Sequence, residues 1–132
     1  MSKSLKHLTV GAVKAIHGEV LAAHGGAAGI RDETLLESAV AAPQASMMGQ
    51  PLISDPLEIA AAYLFYISRN HPFLDGNKRV AFAVAHTFLL VNGCDLELQP
   101  LAAREFMIQS IARGEFRFGQ ILEWITKHIR CE

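Results

Sequence analysis

Cysteine, net charge and long apolar runs are all scarce in this chain, and each scarcity removes a class of protein. Only two cysteines occur in 132 residues, Cys94 and Cys131. They are too few for a disulfide framework and fit no zinc-ligand spacing, so they are expected to stay unpaired in a reducing compartment, the cytoplasm. Thirteen acidic residues face twelve Lys and Arg, a formal net charge of -1. No overall field then draws the chain onto nucleic acid or anionic lipid, and neither direct nucleic-acid binding nor membrane association is expected. The longest apolar stretch, Val80 to Val91, is broken by His86 and Thr87 and falls short of the roughly 20 residues needed to cross a bilayer. Met1 to Val10 carries Lys3 and Lys6 and lacks the apolar run of about 7–15 residues that an export signal requires. Repeats and low-complexity linkers are absent as well.

What is present suits one packed core. Hydrophobic residues make up 51% of the chain and charged residues 19%, a balance that favours folding over disorder. A chain of this length buries roughly two thirds of its unfolded surface, so residues 1–132 are expected to form a single domain.

Helical spacing dominates the pattern. Val13, Ile16, Val20 and Leu21 follow a Thr9 cap and run into Gly25-Gly26, a stop signal. Asp32 caps a second helix with Leu35, Leu36, Ala39 and Val40 on one face, ending near Pro43. Gln44 to Ser54 reads as irregular. Ser54 or Asp55 caps a third helix with Pro56 in its first turn and Leu57, Ala60, Leu64 and Ile67 along one face. Pro72 pushes His71 away from helical angles, so this helix should end about Asn70. A fourth begins near Gly76 or Asn77 and runs to Asn92-Gly93, apolar on almost every side, as a central helix would be. Cys94 to Leu98 reads as weakly extended. Pro100 opens a fifth helix carrying Leu101, Ile108 and Ile111 and closed by Gly114, and Phe118, Ile121, Leu122, Ile125 and Ile129 define a sixth, with Trp124 beside them. The expected fold is all-α with six helices.

The chemistry concentrates between the third and fourth helices, in Asn70 to Val80, which reads N-H-P-F-L-D-G-N-K-R-V. The free N–H groups of a helix N-terminus attract anions, and Asp75-Gly76-Asn77-Lys78 stands where the fourth helix presents them. Gly76 permits close approach, Lys78 and Arg79 add positive charge, and from Arg69 to Arg79 three cations face one acid. Asp75 suits Mg²⁺ shared with phosphate oxygens, because that ion commonly takes one or two carboxylates and fills its shell with water and substrate. ATP is the natural ligand. His71 is suited to accept a proton from an attacking hydroxyl, and Phe73 should point inward and pin the loop.

These residues carry a resemblance. His71-Pro72-Phe73-Leu74-Asp75-Gly76-Asn77-Lys78-Arg79 resembles the signature loop of the Fic/Doc superfamily. Its adenylyl-transferring branch reads roughly H-P-F-x-D/E-G-N-G-R-x-x-R, whereas here Lys78 replaces the second glycine and Phe82 the final arginine. Both departures resemble the Doc, or death-on-curing, branch. The likeness extends to Gly29-Ile30-Arg31-Asp32 and Leu35-Leu36-Glu37-Ser38 and covers most of the chain.

The resemblance implies a compact six-helix domain, the toxin of a toxin–antitoxin pair, acting in the cytoplasm as a protein kinase that moves the γ-phosphate of ATP to a threonine of elongation factor Tu and so stops translation. By position, His71 is the implied base, Asp75 the Mg²⁺ ligand, Asn77 and Lys78 phosphate contacts and Arg79 a charge stabiliser. The inhibitory pattern S/T-x-x-x-E-G/N of many Fic proteins is missing, because no Glu in this chain is followed by Gly or Asn; Ser54 and Glu58 match its first half, but Ile59 follows. An external antitoxin is implied instead, and the Gln44 to Ser54 segment with Met47 and Met48 is similar in position to a flap that docks target chains. The rival readings are a Fic-type adenylyltransferase and a non-catalytic partner of an antitoxin repressor; the oligomeric state is left open. Plainer roles are expected elsewhere: His17, His24 and His86 as structural side chains, with His86 supporting Arg79, Arg31 as a surface charge, and Phe118 and Trp124 as core.

Overall fold

Capping side chains and breakers divide the chain where the sequence places them. The computed structural model describes residues 5–97 and 100–131. Lys3 and Leu98 lie outside the described residues, as does the side chain of Leu101. Helix α1 spans Val10–His24, with the Thr9 side chain accepting from Ala12 N at 3.0 Å. Helix α2 spans Glu33–Ala41 behind Asp32, which accepts from Leu35 N at 3.0 Å, and a short 3-10 turn follows at Ala42–Gln44. Helix α3, Pro56–Asn70, is capped by Asp55, and α4, Asn77–Val91, starts after a six-residue loop. Helices α5, Pro100–Ala112, and α6, Phe118–His128, complete an all-α fold of six helices among the described residues.

Four very short strands occur among the described residues. Gln44 to Ser54, expected to be irregular, contains a hairpin of β1, Ser46–Met47, and β2, Gln50–Pro51. Strand β3, Cys94–Leu96, confirms the extended reading of that segment and pairs antiparallel with β4, Ile129–Cys131. Ile129 was expected inside the sixth helix. The extra strand has a covalent consequence, because it sets Cys94 directly opposite Cys131 with Cα atoms 4.0 Å apart, and the two form a disulfide. The expectation of two free thiols is therefore overturned, and the cysteines no longer point to a reducing compartment. No described helix is long and apolar enough to cross a membrane.

The core is organised around α3. Residues Ile59 to Leu64 are buried without interruption, three of them alanines that allow neighbours to approach closely, and α2, α4 and α6 all pack on this helix. Helix α4 was expected to hold the centre, but it exposes Leu90 and Val91 at its far end. Its buried stripe of Val80, Ala81, Val84, Ala85, Phe88 and Leu89 faces α3 and α1. Tyr63 on α3 is fully buried, and its hydroxyl accepts from Leu8 N at 3.1 Å. Burial raises the Tyr63 pKa and lowers that of the adjoining His7.

Helix α5 faces the core differently from expectation. Ile108 and Ile111 point outward, while Ala103, Met107 and Ser110 are buried. Apolar spacing did not distinguish these two faces, since both repeat at three to four residues. Met107→Ala is expected to destabilise the fold by about 2–5 kcal/mol, whereas Ile108→Ala should stay within about 0.5 kcal/mol of the parent. Urea unfolding midpoints of the two variants check the assignment.

Candidate functional site

The loop between α3 and α4 is held from three sides. Asn77, the first residue of α4, is buried and turns its amide back on the loop: Phe73 N donates to Asn77 Oδ1 at 2.9 Å, and Asn77 Nδ2 donates to Phe73 O at 3.0 Å. One side chain thus satisfies both polar groups of a buried backbone unit. Asn77 was expected to contact phosphate. Its side-chain amide is committed to the Phe73 backbone and closes the loop.

The second support is the segment joining α1 to α2. Leu74 N donates to Gly29 O at 3.1 Å, while Arg31 N and Asp32 N donate to Pro72 O at 2.7 and 3.1 Å. Ile30 and Phe73 lie opposite each other in an antiparallel bridge. Phe73's own N–H and carbonyl are directed to Asn77, so the two supports do not compete. The Arg31 side chain adds a grip at the end of α3: Nε donates to His71 O at 2.6 Å and Nη2 to Asn70 O at 2.8 Å. Arg31 was read as a surface charge. Its partners lie 39 and 40 residues away, and no local periodicity could have identified them.

Helix α1 supplies the third support. The His17 ring stacks on Phe73 with centroids 3.8 Å apart and planes 8° from parallel. Its Nε2 lies 2.9 Å from Asp75 O; a carbonyl only accepts, so this nitrogen donates. His17 is therefore structural, as expected, and Phe73 is buried as expected. His86 does not support Arg79 but pairs with Asp95 at 2.8 Å.

On this frame the reactive groups face solvent. His71 adopts left-handed backbone angles, φ 46° and ψ 56°, and is exposed, with its imidazole making no hydrogen bond among the described residues. The Asp75 carboxylate accepts from Gly76 N at 2.8 Å and from Ala27 N at 3.2 Å. Gly26 leaves room for it, since a Cβ there would stand 2.8 Å from Asp75 Oδ2. Gly76 has φ 78°, and a Cβ on it would meet Leu21, His17 and Val20 of α1 at ordinary contact distances. The left-handed backbone explains this glycine better than the expected close approach of a phosphate.

Helix α4 opens without a side-chain cap. Its first intrahelical bond from this end runs from Val80 N to Gly76 O, so the amides of Asn77, Lys78 and Arg79 have no partner within the helix. Lys78 and Arg79 are exposed and form no ion pair among the described residues. His71, Lys78 and Arg79 are thus exposed at or next to the start of α4, a helix end whose unbonded amides and dipole favour anions in general. No described group of three His, Cys, Asp or Glu converges as a metal cage. A single exposed carboxylate such as that of Asp75, which keeps lone pairs beyond its two amide bonds, is the donor type that Mg²⁺ takes when water and phosphate oxygens fill the rest of its shell. Phe82 points elsewhere and packs edge-on to Trp124 at 6.4 Å, while Trp124 stacks on Phe106 at 4.3 Å.

Residues 7–89 match the Fic/DOC family. The chain is 31% identical over 123 residues to a protein named Protein kinase doc from Escherichia phage P1, covering 93% of this chain and 95% of that one. It is 47% identical over 74 residues to Toxin Doc of Mycolicibacterium smegmatis, covering 56% of this chain and 57% of the relative.

Asn77→Ala removes both bonds to the Phe73 backbone and leaves two buried groups unpaired. Each such group costs about 1–3 kcal/mol. The variant is expected to lose at least about 2 kcal/mol in denaturant unfolding, and Asn77→Asp, which cannot donate to Phe73 O, should fall between it and the parent.

Proposed function

The chain belongs to the Fic/DOC family, and from that membership we propose that it is the toxin of a toxin–antitoxin pair and an ATP-dependent protein kinase of the Doc type. The relative named a protein kinase supports this reading, since the similarity spans almost its whole length. The observation that carries the choice of reaction is the pair of residues at positions 78 and 82. Lys78 stands exposed in the first turn of α4 where the adenylyl-transferring branch has glycine, and Phe82 lies in an aromatic cluster where that branch has arginine. A lysine there occupies the space for the far phosphates of ATP in the Fic orientation. The reversed nucleotide then offers its γ-phosphate.

In the proposed reaction the acceptor Oγ attacks the γ-phosphorus while its proton passes to the His71 imidazole. The bond from γ-phosphorus to the β,γ-bridging oxygen breaks, and ADP leaves with that electron pair. The α4 amides and the Lys78 and Arg79 side chains neutralise charge on the transferring group. Asp75 would hold Mg²⁺, which supplies charge neutralisation between the phosphates when bound. The acceptor carried over from the family is a threonine of elongation factor Tu, and its modification would halt translation in the cytoplasm. An antitoxin partner is proposed as the source of inhibition, because the chain lacks the S/T-x-x-x-E-G/N pattern.

Two experiments test the reading. Incubated with Mg²⁺, elongation factor Tu and ATP, the protein should transfer label from the γ-phosphate and none from the α-phosphate. Label from α would establish adenylyl transfer, and no label from either would favour a non-catalytic antitoxin partner. His71→Ala should abolish growth arrest on induced expression while keeping the parent's circular dichroism and melting temperature. Persistent arrest by a folded His71→Ala protein would refute the base assignment.

A further inference from the structure

The backbone at His71 poses a problem that its own neighbours do not solve. His71 is a non-glycine residue in the left-handed region, a conformation that persists only where surroundings enforce it. A left-handed helix end normally folds back so that following N–H groups bond the last carbonyls. Here Pro72 has no N–H, and Phe73 N is committed to Asn77 Oδ1. Pro72 also favours extended angles for the residue before it, which would carry His71 out of its observed conformation.

The missing donors come from Arg31. Its guanidinium reaches Asn70 O through Nη2 and His71 O through Nε, spanning two successive carbonyls, while Arg31 N bonds Pro72 O. Its positive charge also sits at the negative end of the α3 dipole. We propose that Arg31 is a positioning residue: by gripping the Asn70 and His71 carbonyls it fixes the left-handed turn that presents the His71 imidazole beside the open N-terminus of α4. This rests on the reading of His71 as the base. A lysine would be a poor substitute, since an ammonium is a point charge and cannot fork across two carbonyls in a plane.

The test uses the full chain as Arg31→Ala, Arg31→Lys and His71→Ala variants. A strong intraresidue NOE between the His71 amide and its Hα, the mark of positive φ, should be present in the parent and weakened in Arg31→Ala, with amide shifts of α3 and α4 otherwise kept. With ATP and elongation factor Tu as the assayed pair, Arg31→Ala should lower kcat on the order of 100-fold. KM for ATP should stay within about twofold, because the α4 amides and Lys78 are untouched. Arg31→Lys should recover only part of kcat, and free methylguanidinium should partly rescue Arg31→Ala. An unchanged NOE, or kcat retained within about threefold, would overturn the proposal. If His71→Ala stays active, the base reading fails, and the NOE still decides whether Arg31 sets the turn.

Discussion

The Asn77 side chain bonded to both the N–H and the carbonyl of Phe73 is the constraint on which the site depends. Without it, the six residues between α3 and α4 would carry a buried N–H and carbonyl with no partner, because the backbone of the opposing Gly29–Asp32 segment bonds only Pro72 and Leu74, and the Arg31 side chain bonds Asn70 and His71. With it, Phe73 is locked beneath the loop, His17 stacks on its ring, and α4 starts at a fixed place. The residue that begins the helix also shapes the approach to it. No side chain caps the first amides of α4.

The supports come from parts of the chain far apart in sequence, which explains what could be read in advance. Helix boundaries were legible because their causes are local: Thr9, Asp32 and Asp55 cap within three residues, and Pro72 stops α3 by steric contact with its predecessor. The positions of His71 and Asp75 on the loop and of Lys78 and Arg79 in the first turn of α4 were legible for the same reason. The functions of Arg31 and Asn77 were not. Both residues act through backbone groups, and a backbone partner leaves no residue type in the sequence to match. The outward turn of Ile108 and Ile111 and the pairing of Cys94 with Cys131 escaped for a related reason. Each depends on where α5 and the last strand dock, which spacing within one segment does not encode.

Family membership and local geometry divide the functional argument between them. Membership brings the toxin setting, and the relative's name brings phosphoryl transfer. The loop and the first turn of α4 add which side chains are exposed: the His71 imidazole, the Asp75 carboxylate, Lys78 and Arg79. They also separate these from residues that share the motif yet serve the frame, namely Phe73 and Asn77. The contacts that order the loop all come from the chain itself, and the proposed reaction would need such order to stabilise a phosphoryl group.

That preorganisation is the central claim, and amide hydrogen exchange at Phe73 addresses it directly. This N–H is bonded to the Asn77 side chain alone. In the free protein it is predicted to exchange as slowly as the buried amides of α3, through global unfolding. Exchange at the rate of an exposed loop, with α3 and α4 still protected, would show that the loop is not preformed and would contradict the account.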